Sequence, residues 1–155
     1  MLLKSAHARQ GESLQCKHCD GKVTRHEANF CEKVKGLKAE MGFIPYTVTE
    51  AKILRGHFGA ADFFFPDYKL AVQVDGEYHF DKHARDDTGE ESELRDQVKR
   101  DEEWNAACVK RGWNVWRVHY SDATAPSCVL KAILTRAREN NGHAFVEYSR
   151  GFNTI

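Results

Sequence analysis

The alternation of apolar and polar positions divides the chain into helical and extended stretches. Residues 24–41 place Phe30, Val34, Leu37 and Met41 at helical spacing, which predicts a helix with one apolar stripe. Thr24 can cap it, with Glu27 three residues on as in a capping box, and Gly42 follows as a stop. Residues 43–49 are rich in β-formers and predict a strand, followed by a loop through Gly56 and Gly59. A second strand is expected over 62–65 and a third over 70–75. Only Pro66, Asp67, Tyr68 and Lys69 separate them, so they are expected to pair as a hairpin. A polar loop over 81–91 precedes a long helix at 92–111, ended by Gly112. Residues 113–120 alternate as a strand should, 127–140 read as a helix, and 143–148 as a short β-like tail. Helix, three strands, helix, strand, helix implies an α/β protein with a mixed central sheet flanked by helices.

Composition narrows the class without changing that outline. At 155 residues, 41% apolar and 30% charged, the chain fits a single globular domain, and halving it leaves neither part much core. No apolar run approaches the roughly 20 residues that a membrane helix needs. The start, MLLKSAHARQGES, lacks the apolar core and cleavage site of a secretory signal. Its Lys, Arg and Ser leave organelle targeting open, but the segment is short for that purpose. Five cysteines, an odd number without scaffold spacing, agree with a reducing compartment. The reading is an intracellular protein, cytoplasmic or nucleoid-associated, with a phage or mobile-element origin left open. Formal net charge is zero, yet the two ends lean basic around an acidic stretch from Asp81 to Glu103. An acidic patch between basic flanks suits a metal at the centre of a nucleic-acid groove; a solvated charged surface explains much of the same pattern.

The candidate chemistry lies in ADFFFPDYKLAVQVDGEYHF. Alternation in LAVQVD points Val72 and Val74 to one face, and Gln73 and Asp75 to the other. Hairpin pairing brings Asp62 beside them. Oxygen ligands gathered so suit Mg²⁺ or Mn²⁺, which can polarise a phosphoryl group and lower the pKa of a bound water. His79, just past Gly76, is placed for general acid–base work. In the long helix Asp101 falls on the stripe Leu94, Val98, Cys108, and Asn105 shares that face. An inward Asp needs a partner, and a salt bridge to Arg95 or Arg117 is as good an account as a functional role. Glu27 belongs to the inward stripe of the first helix and Glu32 to its solvated side, so Glu27 is the active-site candidate, with simple capping as its alternative.

Taken together, Asp62 to His79 (D-F-x-x-P-x-x-x-L-A-x-x-x-D-G-x-x-H) resembles the PD-(D/E)xK nuclease superfamily. It is most similar to the branch of very-short-patch-repair endonucleases, DUF559 domains and EDxHD homing endonucleases. Arg100-Asp101 and Gly112-Trp113-Asn114-Val115-Trp116-Arg117-Val118 resemble that branch's "RD…GW-x-V-x-R" stretch. The likeness covers roughly residues 24–120. It implies a restriction-endonuclease-like domain over 24–155, behind an extension at 1–23, and a metal-dependent endonuclease. It implies Asp62 as central ligand, His79 as general base, Glu27 and Asp101 as supporting acids, and Asp75 as a further ligand or orienting group. Ala61 replaces the usual proline, Gln73 stands where many relatives carry Glu, and Asp75 stands where a lysine is usual. Those departures fit the histidine-using branch and leave a catalytically weakened nucleic-acid-binding domain as the alternative. RNA and branched or mismatched DNA are alternative substrates to duplex DNA. Lys82, Arg85, Lys99 and Arg100 are expected to contact the nucleic acid, and a homodimer would let both strands of a duplex be cut.

Cys16, Cys19, His26 and Cys31 have the composition of a zinc knuckle with non-standard spacing, against a reading as free thiols. Phe63 and Phe65 are expected in the core rather than stacked on bases, and Trp104, Trp113 and Trp116 are expected to pack. Cys108 has no base partner, and no glycine-rich phosphate loop is present, so cysteine nucleophile and NTPase chemistry have no support.

Overall fold

The computed structural model describes residues 25–56, 59–76, 91–140 and 142–154. The extension at 1–23, the Thr24 cap, His79, Lys82, Arg85 and most of the polar loop lie outside the described residues. The helix expected at 24–41 is α1, Arg25–Met41, and it stops where Gly42 adopts a φ of 84° and its amide bonds back to Lys38. The long helix is α2, Glu91–Lys110, and Gly112 ends it with the same left-handed geometry. The last is α3, Ser127–Arg138.

The strands are β1 (Val48–Ala51), β2 (Ala61–Phe65), β3 (Leu70–Asp75), β4 (Asn114–His119) and β5 (Val146–Tyr148). They lie side by side in sequence order, antiparallel from β1 to β3 and parallel from β3 to β5. The chain is thus α/β, with a five-stranded mixed sheet and three α-helices among the described residues. The first strand departs from expectation. Residues 44–47 are buried but lie outside the sheet ladder, because Pro45 has no amide to give it, and strand pairing begins at Val48.

Two cores follow from strand alternation. On one face Phe63, Phe65, Leu70, Val72, Trp116 and Val118 meet Phe30, Val34 and Leu37 of α1 and Leu130 and Leu134 of α3. On the other, Phe64, Ala71 and Val115 meet Trp104 and Cys108 of α2. Phe63, Phe64 and Phe65 are all buried, as are Trp104 and Trp116, while Trp113 rests edge-on against Phe64. On α2 Val98 is 44% exposed, while Trp104 and Cys108 in the second half of the helix are buried against the sheet.

Candidate metal centre

The sheet opens where the candidate residues stand. The β2–β3 ladder closes with Phe63 opposite Val72. Beyond it β2 stays paired to β1 through Ala61, and β3 stays paired to β4 through Asp75, so the two strands part as a fork. Three side-chain bonds span the gap. The Val74 amide donates to the Asp62 carboxylate at 2.7 Å. The Asp62 amide donates to the Gln73 carboxamide oxygen at 3.3 Å, and that carboxamide nitrogen donates to the Ala60 carbonyl at 2.9 Å.

Asp62 faces two further acids there. Carboxylate oxygens of Glu27, Glu50 and Asp62 lie within 4.8 Å of one another, drawn from α1, β1 and β2. Glu27 arrives because α1 packs Phe30 against Phe63, their ring centroids 4.8 Å apart. Glu32 lies on the exposed side of the helix and pairs with Lys35 at 3.2 Å. Glu50 arrives through a break in the pleat. Val48 and Ala51 both pack on the α2 side of the sheet, an interval of three that strict alternation forbids. The φ of 51° at Glu50 supplies the missing turn and carries its carboxylate to the α1 side. Burial pushes the Asp62 carboxyl well above the usual carboxylate range, and Glu27 adds to the effect. The Val74 hydrogen bond opposes both, with Glu50 and Asp75 making smaller contributions in the same direction as burial. Three carboxylates from three elements form an oxygen donor set of the kind a hard divalent cation takes.

Asp75 and Asp101 belong to a different cluster. Arg117 of β4 is 3% exposed and grips Asp75 with two bonds, of 2.8 Å and 2.5 Å. Its Nη1 donates to Asn105 at 3.0 Å, and its Nη2, already bonded to Asp75, stands 3.4 Å from the Asp101 carboxylate. The salt bridge to Arg117 weighed for Asp101 is therefore formed, while Arg95 is exposed. Burial works against the Arg117 charge, but Asp75, with Asp101 and Tyr148 adding, more than offsets it and holds the guanidinium above its ordinary value. This cluster lies on the α2 side of the sheet, across β3 from Glu27. Its acids and arginine line a cleft of about 240 Å³ with Val98, Tyr148 and Phe152.

The other candidates divide simply. Lys99 and Arg100 are exposed on α2, where Arg100 bonds Gln97. Cys31 is buried and disulfide-bonded, so in this state its sulfur is not a thiolate for zinc. Cys16 and Cys19 lie outside the described residues, and the His26 ring rests 5.3 Å from that of Tyr120. Burial pushes the Cys108 thiol up to about 12, which leaves it inert. Sequence reasoning missed Glu50. Nothing in VTEA announces a positive φ, and only the pairing of β1 with β2 sets that residue against Asp62. Comparison with family models, with curated proteins and with solved structures finds no match for the chain.

Proposed function

We propose that the chain is a metal-dependent endonuclease of the PD-(D/E)xK type, acting on duplex DNA. The observation that carries the reading is the meeting of Glu27, Glu50 and Asp62 at the mouth of a forked hairpin. The mixed sheet between helices agrees with the restriction-endonuclease-like fold that the sequence resemblance implies. Glu27, Glu50 and Asp62 would hold a Mg²⁺ or Mn²⁺ ion. When bound there, the ion supplies Lewis-acid polarisation of the phosphodiester and a water of lowered pKa. His79, outside the described residues, is assigned the general base from the resemblance alone. Lys99 and Arg100, exposed on α2, are assigned phosphate contacts.

The test is cleavage of plasmid and oligonucleotide substrates in Mg²⁺ or Mn²⁺. Activity should vanish in EDTA and in Asp62→Ala, falling at least about 10³-fold for loss of the central ligand. Undiminished cleavage by Asp62→Ala sinks the assignment. Parallel trials on RNA and on mismatched or branched DNA decide the substrate. Binding that survives EDTA with no cleavage of any substrate would instead assign a non-catalytic nucleic-acid-binding domain.

A further inference from the structure

The fork between β2 and β3 is an odd place for a glutamine whose two polar ends both meet backbone. A carboxamide offers one acceptor oxygen and two N–H donors, whereas a carboxylate only accepts. At position 73 both functions are used, the oxygen toward the Asp62 amide and the nitrogen toward the Ala60 carbonyl. The same two strands are joined in the reverse sense by the Asp62 carboxylate on the Val74 amide. The result is a reciprocal clasp. A β3 side chain holds the β2 backbone on either side of Ala61, and a β2 side chain holds the β3 backbone immediately after Gln73.

We infer that Gln73 is a positioning residue, not a metal ligand: its carboxamide fixes the β2 backbone so that the Asp62 carboxylate stays at the fork beside Glu27 and Glu50. This assignment rests on the metal-centre reading for its purpose, though not for its geometry. It also accounts for the amide where a carboxylate would be the stronger ligand. Glutamate at this position would set an oxygen against the Ala60 carbonyl with no proton between them, and it would add a fourth negative charge beside three that already repel. The clasp needs a donor, and glutamine supplies one.

The experiment compares Gln73→Leu, Gln73→Glu and wild type as full-length proteins. The Val74 amide resonance is followed by NMR in EDTA, and Mn²⁺ affinity is measured by calorimetry. In Gln73→Leu the Val74 amide proton should move upfield as its bond to the carboxylate loosens. Mn²⁺ affinity should fall by roughly 10–100-fold, the usual loss when a residue that orients a ligand is removed. Gln73→Glu should bind Mn²⁺ no more tightly than wild type. An unmoved Val74 resonance in Gln73→Leu overturns the proposal. So does Gln73→Glu binding Mn²⁺ roughly tenfold more tightly, which is what a ligand gaining a charge would do. If wild type binds no Mn²⁺ while Val74 still responds to Gln73→Leu, the clasp stands and the metal-centre reading falls.

Discussion

Lys33 shows how the sequence can hide a residue's surroundings. It sits on the same helix as the candidate Glu27, yet it is 5% exposed, its ammonium 5.0 Å above the Phe30 ring and bonded to the Asp122 carbonyl at 2.9 Å. Burial lowers its pKa from 10.5 to about 8, with Asp122 opposing. The sign follows directly. Below pH 8 the fold carries a desolvated ammonium, and between pH 8 and 10.5 the folded state releases a proton that the unfolded state keeps. Stability from this group therefore rises with pH across that window. Lys33→Met keeps the stem over Phe30 and removes the titration. Wild type should gain ~2 kcal/mol over the variant between pH 8 and 10, read by urea unfolding at several pH values. Parallel profiles for the two proteins would show that Lys33 is solvated. Glu50 is hidden in a comparable way, since its reach to Asp62 depends on one backbone angle.

At the scale of elements, the position of Glu27 depends on how closely α1 approaches α3. Gly36 is the contact. A Cβ there would press on the Ser127 hydroxyl, which donates to the Lys33 carbonyl at 2.8 Å. Alanine is worth about 1 kcal/mol more than glycine inside a helix, so propensity alone predicts that Gly36→Ala stabilises. The crowding of Ser127 should reverse that sign and leave the variant ~1–2 kcal/mol less stable. Gly36→Ala with Ser127→Ala should recover most of the loss, and thermal melts of the double-mutant cycle check it. Additive effects would mean that the helices do not meet there. The helices themselves were legible, because period and glycine stops are local signals: Gly42 and Gly112 end α1 and α2 as expected. The start of β1 was not, because β-rich composition at 43–47 cannot tell a paired strand from a buried extended segment that contains Pro45.

Across the whole molecule, β3 separates two sets of acids that strand alternation alone had placed together. Gln73 and Asp75 do leave the strand on the side opposite Val72 and Val74. What alternation could not carry was the fork, which turns Asp62 toward α1 while Arg117 holds Asp75 toward α2. The two aspartates should therefore fail in opposite ways. Asp75→Ala takes from the buried Arg117 guanidinium its two-bond partner and leaves it Asp101 and Asn105, and breaking one side of a buried pair costs about 3–5 kcal/mol. Its folded fraction should still bind Mn²⁺ nearly as wild type does, since Asp75 is the smallest of the influences on the Asp62 carboxyl. Asp62→Ala relieves a crowded carboxylate and gives up one hydrogen bond from Val74, so its metal-free stability should stay within about 1 kcal/mol of wild type. Its Mn²⁺ binding should be lost. Urea unfolding in EDTA beside Mn²⁺ calorimetry reads both quantities for both variants. Were Asp75→Ala to lose Mn²⁺ affinity at unchanged stability, Asp75 would be a ligand and the division of acids across β3 would be wrong.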